Sequence, residues 1–190
     1  MIHARFDGEQ RLALWRGLVQ LKRQGKARAI GVSNFSIKHI EEHRAADLPF
    51  PDANQIELHP WSQKPELVRY LNHNAITPIP YSSLVPLSTW RTAKGQASAK
   101  TEEMKADALR ADAPFKIMAK KYGVTEAQVL LRWAVKKGYP VLPKSTNPDR
   151  IRTNADIFGF DIDEQDMAAM DKMVRGDGVA WPIGDPTKSP

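Results

Sequence analysis

An α/β fold of short, buried, parallel strands alternating with helices is predicted from three stretches of this chain. They are Gly31-Val32-Ser33-Asn34-Phe35, Asn54-Gln55-Ile56-Glu57-Leu58-His59-Pro60 and Leu142-Pro143-Lys144-Ser145, and each opens with a short apolar run or ends in small polar groups. Strands covered on both faces read as nearly continuous apolar runs. In a parallel barrel the last side chains of each strand are aimed at a shared ligand.

Taken in order, the elements alternate without a dividing linker. Leu12, Trp15, Leu18, Val19 and Leu21 make the apolar stripe of a first helix, which stops at Gly25, a natural helix C-terminus. Ala27 to Val32, Ala53 to Leu58 and Thr77 to Tyr81 read as strands at intervals of roughly 25 residues, as βα units require. Between them Ser36 caps a helix that turns Ile37 and Ile40 inward, and Leu67, Tyr70 and Leu71 mark another. Thr89 to Ala113 is polar and rich in Ala, Lys and Glu, which predicts an exposed excursion, a lid or mobile loop. Phe115 to Tyr122 follows as a short helix ended by Gly123, and Thr125 with Gln128 forms a capping box for the helix carrying Val129, Leu130 and Trp133. Pro140 to Leu142 reads as a fourth strand. Asn147-Pro148 is a strong helix start, and Asp163 begins a last helix with Met167, Met170 and Met173 on its inner face as core filler.

Composition narrows the functional classes. A chain of 190 residues with 42% hydrophobic content can bury a sizeable core. Its apolar runs are short and broken by charge, so neither a membrane span nor a secretory segment is expected. Zero cysteines exclude disulfides, thiolate metal sites and a cysteine nucleophile, and suit a cytoplasmic protein. The net charge of +6 is spread along the chain, and the pairs Lys22-Arg23, Lys120-Lys121 and Lys136-Lys137 fall on helical patterns as solvated faces, so no nucleic-acid partner is expected. No metal site is expected either.

Four motifs in one order resemble the aldo-keto reductase family. Gly25 to Phe35 is similar to the family's fifth strand, Asn54 to Pro60 to its sixth, Pro80-Tyr81-Ser82-Ser83-Leu84 to its seventh, and Leu142-Pro143-Lys144-Ser145 through Asn154 to its eighth with the following helix. The resemblance runs from about Trp15 to Met173. It implies one domain over residues 1–190, a partial (β/α)8 TIM barrel lacking the N-terminal βα units.

The same resemblance implies a cofactor and its contacts. Ser33, Asn34 and Gln55 match the side chains that hydrogen-bond a nicotinamide carboxamide, a group that needs paired donors and acceptors to fix the ring face. Tyr81 matches the aromatic that stacks on that ring, and Ser82 follows it in the same motif. Lys144, Ser145 and Arg150 match the group that holds the adenosine 2′-phosphate, which implies NADP(H), and Asn154 falls near the adenine. Independently of the family, a lysine, a hydroxyl and an arginine around a helix start at Asn147-Pro148 make an anion site. The plainer reading has Asn54 and Gln55 satisfying strand-end backbone groups, Tyr81 in the core, and Lys144 and Arg150 as surface charges. His59 is read as a structural residue packed after its strand. Ser83, Val85 and Thr153 depart from the family's usual proline, glycine and carboxylate, which bears on the loop over the pyrophosphate and on the adenine contact.

Catalysis is where the chain departs most. In this family a tyrosine donates a proton to the carbonyl as hydride arrives, with a lysine and an aspartate lowering its pKa and a histidine alongside. The aspartate, tyrosine and lysine precede the region matched here, and Met1-Ile2-His3 resembles the end of the fourth strand, making His3 the candidate for the histidine. Three readings stay open. The chain is a truncated NADP(H)-dependent reductase of aldehydes or ketones, catalytically incomplete alone; it is a non-enzymatic nucleotide-binding or scaffolding module; or a second chain supplies the missing strands. Open barrel edges would favour self-association or a partner chain. Trp61, Trp90 and Trp181 are candidates for a wall of the carbonyl substrate pocket.

Overall fold

The structure, a computed structural model, describes residues 1–3, 8–87, 106–176 and 185–188. In chain order they include strand β1 (Ile2–His3), helix α1 (Gly8–Arg23), β2 (Gly31–Ser33), α2 (Ile37–Ala45), β3 (Ala53–Glu57), α3 (Pro65–His73), β4 (Thr77–Tyr81), a 3-10 turn (Val85–Leu87), α4 (Pro114–Tyr122), α5 (Glu126–Lys136), α6 (Pro148–Ala155) and α7 (Glu164–Asp171). The strands form one sheet in the order β1-β2-β3-β4, with β1–β2 and β2–β3 parallel. The expected α/β class with a parallel sheet is present. By compactness the chain divides into two units, one of residues 1–56, 64–79 and 184–190, the other of residues 57–63 and 80–183.

In the first unit the buried face of α1 is Arg11, Trp15 and Val19, spaced four apart so that they stack on one side. Leu12 and Leu18 are half-buried beside them. Leu21, expected in the stripe, is instead exposed, because two residues beyond Val19 places it on the opposite side of the helix. The Trp15 indole N–H donates to the Pro49 carbonyl at 2.8 Å, and the Arg11 guanidinium grips the Glu42 carboxylate of α2 through two nitrogens at 3.0 and 2.8 Å. Gly25 takes φ 72°, the left-handed turn that ends α1. Ser36 caps α2 as expected, its Oγ accepting the His39 N–H while His39 Nδ1 accepts the Ser36 N–H. Ile40 is buried, but Ile37 is exposed: the packed face of α2 is His39, Ile40 and His43. On α3, Leu67 and Leu71 are buried and Tyr70 is half-buried, its hydroxyl donating to Glu41. Lys64, just before α3, is left-handed at φ 45° and forms a buried ion pair with Asp185.

Two strand expectations need correction. Of the stretch Ala27 to Val32 only Gly31 and Val32 join the ladder, in a strand that runs on to Ser33. The Asp52 carboxylate accepts the Ile30 N–H at 2.7 Å while the Asp52 N–H donates to the Ile30 carbonyl at 2.8 Å, so side chain and backbone of one aspartate occupy the groups that would have extended the strand. Residues 140–142 are irregular, and among the described residues they join no ladder. Tyr139 N–H turns back to the Ala134 carbonyl, Pro140 has no N–H, and Leu142 is exposed. β3 and β4 lie where the alternation puts them, with β3 one residue shorter.

The second unit is organised around Trp61, Phe115, Leu130, Trp133, Ile162 and Met170. Gly123 ends α4 at φ 66°, and Thr125 and Gln128 make the capping box of α5, with hydrogen bonds of 3.2 Å and 2.9 Å. Val129, Leu130 and Trp133 are buried as expected. Asp163 caps α7, where Met170 is fully buried and Met167 half-buried; Met173, expected on this helix, lies half-buried two residues past its end at Asp171. Most of the expected excursion, and Trp90 and Trp181, lie outside the described residues. Among the described residues no helix is long and apolar enough to cross a membrane, and no cluster of metal-ligating side chains occurs.

Candidate cofactor site

In the first unit, register places three candidate residues side by side. His3 pairs with Ser33 and Ser33 with Gln55, so the three lie in one row across β1, β2 and β3; Ile2, Val32 and Asn54 form the next row, on the opposite face. Gly31 lets β2 approach β3 this closely, since a Cβ there would meet the Ala53 carbonyl oxygen at 2.8 Å. The Gln55 carbonyl accepts from both the Ser33 hydroxyl at 3.1 Å and the Asn34 N–H at 2.9 Å. This pins the end of β2 to β3. Asn34 is left-handed at φ 60°, a conformation asparagine tolerates better than most side chains. Ser33 and Asn34 are buried, Gln55 is half-buried and His3 is exposed. The plainer reading holds for Asn54: its amide donates to the Phe35 carbonyl at 2.8 Å and accepts the Phe35 N–H at 3.3 Å.

The second unit holds the other candidates. Tyr81 is half-buried at the end of β4, its carbonyl accepting the Leu58 N–H at 3.4 Å. Ser82 is left-handed at φ 58° and turns the chain into the 3-10 segment, its carbonyl accepting the Val85 N–H at 2.9 Å. At the start of α6 the Ser145 hydroxyl accepts the Asn147 N–H at 3.1 Å, and Asn147 Oδ1 accepts the Arg150 N–H at 3.0 Å. Lys144 and Arg150 are exposed, and neither has a carboxylate partner among the described residues, whereas the nearby Asp149 is paired with Arg152 at 2.5 Å. Two unneutralised cations beside a helix N-terminus and a hydroxyl favour an anion. Asn154 is buried on α6.

His59 is buried just after β3, as expected, and its Nε2–H donates to the Glu57 carboxylate at 2.9 Å. Trp61 lines a cavity of about 290 Å³ in the second unit together with Leu87, Phe115 and Met173; the Arg175 guanidinium lies over its ring at 4.0 Å and pairs with Asp107 at 2.5 Å. The Glu57–His59 pair escaped the sequence reading, although two ionisable residues two apart, one ending a buried strand and one just past it, were its available signal.

The aldo/keto reductase family model matches residues 1–175, and this chain belongs to that family. It is 36% identical over 163 residues to the NAD(P)H-dependent D-xylose reductase of Scheffersomyces stipitis, covering 85% of this chain and 49% of that protein. It is 35% identical over 170 residues to a probable NAD(P)H-dependent D-xylose reductase of Aspergillus flavus, covering 90% and 51%. The chain thus spans about half the length of the curated relatives it matches. Among solved structures, an aldo-keto reductase of Bombyx mori in complex with NADP is similar at 29% identity and a TM-score of 0.72, covering 87% of this chain and 50% of that one. Gox0644 in its apo form is similar at 33% identity and a TM-score of 0.73, covering 93% and 57%.

Proposed function

We propose that this chain is the cofactor-binding portion of an NADP(H)-dependent oxidoreductase that reduces aldehydes or ketones to alcohols, built on a partial (β/α)8 barrel. The observation that carries the reading is the row of His3, Ser33 and Gln55, with Asn34 turned left-handed at its end. Bound NADPH supplies the hydride. Ser33, Asn34 and Gln55 offer hydroxyl and amide groups that fit a carboxamide, and His3 stands beside them to orient a carbonyl oxygen. Tyr81 supplies a ring face, and Ser82 the turn that follows it. Lys144, Ser145 and Arg150 suit a 2′-phosphate, and Asn154 the adenine end. The NAD(P)H-dependent relatives and the NADP complex support the cofactor assignment. Among the residues matched to the family's motifs there is no counterpart of the catalytic aspartate, tyrosine and lysine, so the chain on its own binds cofactor without completing proton transfer. Among the described residues β1 and β4 are the edges of the sheet, and such edges suit self-association or a partner chain.

Fluorescence titration tests this. NADPH binds more tightly than NADH, and Lys144→Ala and Arg150→Ala each weaken NADPH by about tenfold, the scale of one charge-assisted phosphate contact, while leaving NADH nearly unchanged. Equal losses for both cofactors would remove the 2′-phosphate assignment.

A further inference from the structure

We infer that Asn54 is a positioning residue for the carboxamide-binding side chains, acting through Phe35. This rests on the cofactor reading above and goes beyond it, because Asn54 itself touches no ligand. It is wholly buried, and its row faces away from the row of Ser33 and Gln55. Both ends of its amide are used on one residue: Nδ2–H donates to the Phe35 carbonyl at 2.8 Å, and Oδ1 accepts the Phe35 N–H at 3.3 Å. The Phe35 side chain is also fixed, buried with its ring edge-on to His39 at 5.6 Å between centroids.

Between these fixed points sits Asn34. On its N-terminal side the Ser33 hydroxyl and its own N–H both reach the Gln55 carbonyl, and on its C-terminal side Phe35 is clamped by Asn54. A left-handed non-glycine residue persists only when its surroundings over-determine it. Asn54 and Gln55 are consecutive on β3, so one strand holds both flanks of Asn34: the Gln55 carbonyl before it, the Asn54 side chain after it. Without Asn54 the peptide at Phe35 loses both partners in a buried place, and residue 34 is free to relax toward right-handed or extended backbone. That relaxation swings the Asn34 amide away from the row. Ser33 and Gln55 stay where the ladder puts them.

The experiment compares two ligands on the 190-residue chain: NADPH, and 2′-phospho-ADP-ribose, which keeps the phosphates and adenine but has no nicotinamide. For Asn54→Ala the expected result is a loss of about tenfold in NADPH affinity, with 2′-phospho-ADP-ribose affinity within about twofold of the parent. A merely structural role would weaken both ligands together, and that outcome, or unchanged NADPH affinity, overturns the inference. Should Asn54→Ala fail to fold, Asn54→Asp keeps the shape and the acceptor for Phe35 N–H but, while ionised, lacks the donor for the Phe35 carbonyl. Its NADPH affinity is expected to be reduced about tenfold at pH 8, with 2′-phospho-ADP-ribose binding within about twofold of the parent. NADPH affinity equal to the parent's, or an equal loss for both ligands, overturns the inference. If the parent chain binds 2′-phospho-ADP-ribose but gains nothing from the nicotinamide, the carboxamide assignment itself fails, which is distinct from a failure at Asn54.

Discussion

His43 is expected to make the stability of this protein fall in mild acid. Its ring is buried on α2, lies face to face with the Trp15 indole at 4.7 Å and 1°, and contacts the Phe35 ring; neither of its nitrogens has a hydrogen-bond partner among the described residues. Burial lowers its pKa from the ordinary 6.5 to about 4, with Glu42 opposing the shift and Arg11 adding to it. Because the unfolded chain takes up a proton below about 6.5 and the folded one refuses it until about 4, stability falls as pH drops through that window. The full penalty is about 3 kcal/mol, and about 2 kcal/mol of it accumulates between pH 7 and pH 5. His43→Phe keeps an aromatic ring on Trp15 without a titrating nitrogen, and His43→Leu guards against overpacking by the larger ring. Urea denaturation followed by far-UV circular dichroism at pH 7 and pH 5 gives the comparison. Either variant is expected to lose about 2 kcal/mol less than the parent between the two pH values. Parallel losses in parent and both variants would refute the reasoning.

Other predictions address the rest of the chain. The Arg11–Glu42 pair acts at lower pH: the hydrogen bond from Arg11 is the main cause of a depressed Glu42 pKa, so its stabilisation is present above the ordinary 4.5 and is lost as pH falls through the lower folded value. Glu42→Gln should therefore flatten the Glu42 contribution below pH 4.5 and, because the Glu42 charge opposes the His43 shift, extend the lower end of the His43 window to more acid pH, as read from thermal melts across pH. Thr125→Ala removes half of the α5 capping box and is expected to cost about 1 kcal/mol in urea denaturation; a change below about 0.3 kcal/mol would mean the cap is not contributing. The purified chain should show no NADPH oxidation with simple aldehydes, since general acid catalysis alone accounts for about 10² to 10⁴ in rate, and robust turnover by pure protein would end that view. Sedimentation should show concentration-dependent association; a stable monomer that binds no hydrophobic dye would contradict it.

Signals carried by neighbouring residues were legible in the sequence. Gly25 and Gly123 end their helices, Ser36, Asn147 and Asp163 start theirs, and Thr125 with Gln128 does so reciprocally, because each needs only a partner within four residues. Motif order put Ser33, Asn34 and Gln55 on or beside neighbouring strands, and the β2–β3 register sets Ser33 beside Gln55. What the chain alone concealed depends on distant partners. Nothing near Ile30 says that Asp52 will occupy its N–H and shorten β2. Nothing near Lys64 says that its charge will be met by Asp185, 121 residues away. The stacking of His43 on Trp15 joins two helices whose apolar stripes could be read but whose mutual rotation could not. Leu21 and Leu142 misled for the same reason: an apolar residue declares that it can be buried, while burial is decided by what arrives to cover it.

Asn34 and Ser82 carry a consequence for anyone who would make this protein more robust. Both are left-handed at φ 60° and 58°, where glycine would sit without the steric cost of a Cβ. A selection for thermal tolerance alone would reward glycine at these two strand ends. Each such gain would erase a polar side chain from its turn, so on the proposed cofactor role the fold would harden at the expense of nucleotide binding. The positions most open to improvement as architecture are thus the least open as chemistry.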